Sequence, residues 1–101
     1  MIGDSGSAAL DFYDASKSGF HAYWTLKSTV GPIQGYDLYL TLNDGKVYHD
    51  SGLGLFGSTV SGEFTISAKS KTTYRGTLSG TAQILTKAVK ILPATASITT
   101  K

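Results

Sequence analysis

Gly3-Asp4-Ser5-Gly6 has the residue order found around the nucleophile of trypsin-like serine proteases. An activated serine needs a histidine base and a buried aspartate to orient it, and that fold places the three with two barrels. A chain of 101 residues is too short for that architecture. Chain starts also fray unless something ties them down. The segment is read as part of a flexible lead-in, residues 1–6. Gly52-Leu53-Gly54-Leu55-Phe56-Gly57 has the G-x-G-x-x-G spacing of a phosphate-cradling loop. That loop works only between a strand and a helix, because the helix N-terminus supplies amides to the pyrophosphate. Here Ser58-Thr59-Val60-Ser61 follows, which is a strand pattern. The segment is read as a crossover between sheets, with Leu53, Leu55 and Phe56 partly plugging the core. A second reading has the same three side chains exposed, forming a hydrophobic patch for a partner or a lipid surface.

His21 and His49 are the only histidines, and cysteine is absent. Disulfides, thiolate zinc sites and thiol nucleophiles are therefore excluded. Neither histidine has a second ligand at zincin spacing. Under the hairpin register argued below, His49 points the same way as Leu40, and His21 points outward beside Tyr23. Glu63 is the single glutamate. Glycoside cleavage needs two facing carboxyl groups about 5–9 Å apart. Asp37 and Asp50 form the one pair that a hairpin would bring near each other, beside Tyr39. No catalytic, metal or cofactor residue is assigned, and the chain is read as not an enzyme.

Binding chemistry is better represented. Tyr39 and Tyr48 fall on the expected solvent side of one hairpin, diagonal to each other, where such neighbours lie roughly 7–8 Å apart. Arg75 and Thr77 join them if the sixth strand lies beside the strand of Tyr39. Tyr and Arg are enriched in binding hot spots, and tyrosine rings stack on sugars. The plain alternative is a cross-strand pair that only stabilises the sheet.

The elements that position these residues follow from alternation. One face reads Phe20, Ala22, Trp24, Leu26, another Tyr36, Leu38, Leu40, Leu42, and a third Val60, Gly62, Phe64, Ile66, Ala68. Tyr74, Gly76, Leu78, Gly80, Ala82 and Ile84 continue the pattern. Val89 and Ile91 alternate in one phase and Ala94, Ala96 and Ile98 in the other, with Pro93 at the break. Proline cannot donate to a ladder, so a bulge or edge position is expected there. Asn43-Asp44-Gly45-Lys46 predicts a two-residue hairpin turn, which sets Leu42 opposite Val47, Thr41 opposite Tyr48 and Leu40 opposite His49. Ser7 to Leu10 is read as strand, with a short helix as the alternative. Seven strands are predicted, at roughly 7–13, 19–28, 36–43, 46–51, 59–69, 73–84 and 88–100. Strands with one greasy and one wet face need a second sheet to close on. The fold class is thus all-β, a two-sheet antiparallel sandwich forming one domain over residues 7–101.

Composition agrees. Twelve Ser, 13 Thr and 12 Gly dominate, while charged residues are 16%. Thr favours strands, and Ser and Gly favour turns. The net charge of +2, with lysines dispersed along the chain, is too small for a nucleic-acid footprint. No apolar run reaches the ~18 residues of a membrane-spanning helix. No signal-peptide pattern opens the chain.

Trp24 on the second strand and Thr73-Tyr74-Arg75-Gly76-Thr77-Leu78-Ser79-Gly80 on the sixth resemble an immunoglobulin-like or fibronectin type III-like sandwich. In those domains a tyrosine near the start of the penultimate strand anchors the preceding corner through its hydroxyl, and Tyr74 matches that position. Tyr74-Arg75, Gly80 and Ala82 also look like the strand before the last in small secreted β-sandwich proteins of Gram-positive bacteria. The cysteine pair of antibody domains is absent. The resemblance implies an extracellular module without catalytic residues. The expected function is a secreted, non-enzymatic binding or adhesion module that uses the Tyr39, Tyr48, Arg75, Thr77 face. Its partner would be a protein or a cell-surface carbohydrate. Two alternatives stand beside it: an antimicrobial or toxin-like protein that touches membranes through Leu53, Leu55 and Phe56, and an envelope protein that self-assembles through an edge strand.

Overall fold

The computed structural model describes residues 6–54, 57–84, 87–91 and 93–101. Eight strands run β1 (Gly6–Tyr13), β2 (Gly19–Ser28), β3 (Ile33–Leu42), β4 (Val47–Leu53), β5 (Thr59–Ser67), β6 (Thr73–Ile84), β7 (Lys87–Lys90) and β8 (Ala94–Thr99). They form two antiparallel sheets. The smaller has the order β1-β2-β5; the larger has β4-β3-β6, with β7 and β8 both on the far edge of β6. The expected sandwich is what forms, and Ser7 to Leu10 is strand.

The eighth strand arises where the sequence changes phase. β7 pairs Thr81–Ile84, whereas β8 pairs Thr73–Leu78. Between them the Ile91 amide donates to the Gly80 carbonyl at 2.9 Å. Pro93 lies in this break, outside both ladders. β3 also starts earlier than the alternation suggested, at Ile33, because the pairing with β6 shifts register between Ile33 and Gly35.

Alternation closes the sandwich. Trp24, Leu26, Ile33, Leu38, Leu78 and Ile84 bury one half of the core. Phe12, Phe20, Leu40, Leu42, Ile66 and Tyr74 bury the other half. Each such side chain contributes about 1.5–3 kcal/mol when fully buried. Trp24 lies across β5 at Gly62, its register partner. A Cβ at Gly62 would sit 2.5 Å from the indole Cζ2, so only glycine leaves room for the ring. Tyr74 holds the corner between β5 and β6, its hydroxyl accepting the Lys69 N–H at 2.9 Å.

The hairpin β3–β4 departs from its expected register by one residue. Leu40 faces Tyr48, Tyr39 faces His49 and Thr41 faces Val47. The loop holds three residues rather than two: Gly45 N–H donates to the Leu42 carbonyl, and Leu42 N–H to the Lys46 carbonyl. Gly45 takes φ = 91°, the left-handed position that ends such a loop. A one-residue slip turns every side chain of a strand to the opposite face. The consequences fall on the candidate site.

Candidate functional site

The outer face of the larger sheet is built from alternate residues of its five strands. One row runs Val47, Thr41, Thr77, Thr95; the next runs His49, Tyr39, Ser79; a third runs Ser51, Asp37, Thr81, Lys90. Arg75 lies beyond the first row, opposite Ser97. Nearly every side chain on this face carries a hydroxyl, an imidazole or a charge. β6 supplies Arg75, Thr77, Ser79 and Thr81 in strict alternation with core residues.

Tyr39 is the aromatic centre of the face and is 40% exposed. His49 stacks on it, with ring centroids 4.6 Å apart and planes at 16°. The imidazole is held from its other end, where Nε2 meets Asp37 Oδ1. The flank of Tyr39 toward β6 carries only Ser79, whose side chain is too short to cover the ring. One row further along β3, Thr41 borders a trough of about 660 Å³ that is also lined by Leu42, Asn43, Arg75, Thr77, Thr95, Ala96 and Ser97; the Tyr39 ring itself does not line it. Among the described residues the Arg75 guanidinium has no carboxylate partner. Its backbone instead fixes its place: Arg75 N–H donates to Asn43 Oδ1 at 3.1 Å.

Of the four residues picked from the sequence, three share this face. Tyr39, Arg75 and Thr77 do, and β6 is the neighbour of β3 as expected. Tyr48 does not. The one-residue shift turns it inward, where it packs on the core with its ring 6.1 Å from Phe64. His49, expected to point with Leu40, takes the outer position instead. The pair Asp37 and Asp50 is separated for the same reason, since Asp50 pairs with core-facing Leu38. The sequence offered one clue to His49: Asn43-Asp44-Gly45 also suits a three-residue loop with glycine last.

Leu53 ends β4 and is 75% exposed, so it does not plug the core. Leu55 and Phe56 lie outside the described residues, as do Gly3, Asp4 and Ser5. The Gly52–Gly57 segment joins β4 to β5, as a crossover between sheets should.

A second polar group occupies the outer face of the smaller sheet. His21 sits between Glu63, with Nδ1 3.0 Å from Oε1, and Asp14, with Nε2 3.8 Å from Oδ2. The first contact is too poorly aligned for a hydrogen bond, which leaves the buried Nδ1 without one. The Tyr13 hydroxyl donates to Glu63 Oε2. That bond, with partial desolvation and the nearby Glu63, Asp14 and Asp11 charges, pushes the Tyr13 phenol up to about 12. Among the described residues no group of three or more His, Asp or Glu is placed to hold a metal ion.

No protein-family model matches this chain, and no curated protein matches it. Among solved structures it is similar to the CARDB domain of a Pyrococcus furiosus protein, crystallised in complex with di-metal ions. The likeness covers 99% of this chain and 97% of that one, with a TM-score of 0.57 and 12% identity. At that identity it shows the fold alone: a small β-sandwich module. It bears on the sandwich and not on the likeness to Gram-positive secreted proteins.

Proposed function

We propose that this chain is a secreted, non-catalytic binding module whose outer β4-β3-β6-β8 face takes a carbohydrate. The exposed Tyr39 ring carries the reading. It is braced on one side by His49, has only Ser79 on its β6 flank, and lies one row from the hydroxyl-bearing Thr41, Thr77 and Thr95 of the trough. A sugar ring has an apolar face for stacking and hydroxyl edges for hydrogen bonds, and this surface supplies both partners. The low share of charged residues, 16%, supports a place outside the cell.

The test is a titration of the 15N-labelled domain with cell-wall and plant oligosaccharides. Shifts that include Tyr39, Thr77 and Arg75 are expected; their absence with every sugar would refute the reading. Exposed Leu53 favours one second reading, contact with a lipid surface through the segment after β4. Dye release from anionic vesicles tests it, and intact vesicles would remove it.

A further inference from the structure

Dispersed in sequence, the basic residues are gathered by the fold. Six of the nine lie at one end of the sandwich. Lys17 sits between β1 and β2, Lys46 closes the β3–β4 hairpin, Lys69 and Lys71 lie between β5 and β6, Arg75 enters β6, and Lys101 follows β8. The backbone knits these turns together. Lys71 N–H donates to the Lys101 carbonyl at 3.3 Å, Lys101 N–H to Ser16 at 3.3 Å, and Ala68 N–H to Ser18 at 2.9 Å. The hydroxyl of buried Thr100 accepts the Thr72 N–H at 3.0 Å, which fixes the chain just before Lys101. Asn43 joins the hairpin to the same end through the Thr73 carbonyl at 3.3 Å.

All six cations are exposed. Among the described residues none is in an ion pair. Asp14 and Asp44 are the acids nearby. Asp14 faces His21, and Asp44 Oδ1 caps its own turn by accepting the Lys46 N–H at 3.0 Å. Elsewhere among the described residues Lys27, Lys87 and Lys90 are outnumbered by Asp11, Asp37, Asp50 and Glu63. The positive excess of the described residues therefore resides at this end.

Two depressions meet there. The trough one row from Tyr39 runs to Arg75, and a second of about 530 Å³ is lined by Lys46, Lys69 and Thr73, with Asp44 as its one carboxylate. Asn43 lines both. We infer that the ligand is an acidic polysaccharide, which runs from the Tyr39 ring past Arg75 and Asn43 into the Lys46–Lys69 depression. This rests on the carbohydrate reading above and adds the charge of the ligand. Two connected depressions with cations spread over several turns suit an extended polyanion. A single headgroup would occupy one of them. Exposed charges act over about a Debye length, ~8 Å at physiological salt, so the attraction must weaken as salt rises.

The experiment compares uronate and sulfated hexasaccharides with their neutral counterparts, the methyl esters and desulfated forms, by calorimetry. Two double variants accompany the native chain. Lys46→Gln/Lys69→Gln removes two charges at the basic end, and Lys27→Gln/Lys87→Gln removes the same number elsewhere. The expected result is at least tenfold tighter binding of one or more acidic sugars. That preference should shrink severalfold from 50 to 200 mM salt and be lost in the first variant alone. Equal affinity for acidic and neutral sugars overturns this inference and leaves the carbohydrate reading standing. Equal losses in both variants also overturn it, since net charge and not position would then be responsible. Binding of neither sugar class overturns both, as does binding only to phosphatidylglycerol vesicles.

Discussion

His49 stacks on Tyr39 across the β3–β4 hairpin, with ring centroids 4.6 Å apart, while Asp37 on the same strand as Tyr39 holds the imidazole from the far side. The three side chains lock one another. A tyrosine held this way has lost its rotamer freedom before any ligand arrives, which lowers the cost of binding.

Tyr39→Ala should therefore weaken sugar binding about two- to tenfold, in line with ~0.5–1.5 kcal/mol for an aromatic contact. Stability should fall little, because the ring is 40% exposed. His49→Ala should weaken binding less and cost roughly 0.2–1 kcal/mol as a lost cross-strand pair. Calorimetry and urea unfolding on both variants check this. Unchanged affinity in Tyr39→Ala would remove the platform.

Gly62→Ala should be among the most damaging single-methyl changes. The new Cβ would meet Trp24 Cζ2 at 2.5 Å, Cε2 at 2.7 Å and Nε1 at 2.9 Å, and Trp24 is fully buried with nowhere to retreat. Overpacking of this kind costs about 1–3 kcal/mol. For a domain of this size each kcal/mol lowers Tm by roughly 4–8 °C. Thermal unfolding followed by Trp24 fluorescence reads it directly. A Tm within a degree of native would mean that the ring can shift.

Tyr74→Phe keeps the buried ring and deletes only the hydroxyl that accepts the Lys69 N–H at 2.9 Å. The expected cost is about 0.5–1.5 kcal/mol in urea unfolding. Amide exchange at Lys69 should speed up while the strand centres stay protected. No change at Lys69 would show that the corner is held by other contacts.

What was legible in the sequence, and what was not, divides at the β3–β4 hairpin. β2, β3, β5 and β6 each alternate large apolar residues with polar ones, so burial fixes which way they face. That places Trp24, Tyr39, Arg75 and Thr77 correctly. β4 carries Tyr48, Asp50 and Gly52 on one face and Val47, His49, Ser51 and Leu53 on the other. Neither face is clearly greasy, so hydrophobicity could not set its register, and the turn had to. Asn43-Asp44-Gly45 fits two turn lengths, and choosing the shorter exchanged Tyr48 for His49. The basic end was invisible for a different reason. Its lysines come from separate turns, and only the closed topology makes them neighbours.

Tyr13 offers a pH test of the opposite sheet. Its hydroxyl donates to Glu63, and that bond, ahead of desolvation and the acidic neighbours, raises the phenol from 10.0 to about 12. Between those values the folded chain keeps a proton that the unfolded chain has released. Stability from this group is thus complete below pH ~10 and is lost as pH climbs through 12, since unfolding is favoured wherever the unfolded state binds fewer protons. In an ultraviolet titration, Tyr13 should titrate late, as should Tyr36, whose phenol is raised by burial and by Asp50. Glu63→Ala should move the Tyr13 component down toward the ordinary tyrosine range, because it removes both the acceptor and the nearest negative charge. Tyr13→Phe should delete it and leave the other transitions in place. A late component that survives in Glu63→Ala but is absent from the Glu63→Ala/Tyr13→Phe double variant would assign the shift to Asp11 and Asp14 acting through space, and would break the link between Tyr13 and Glu63.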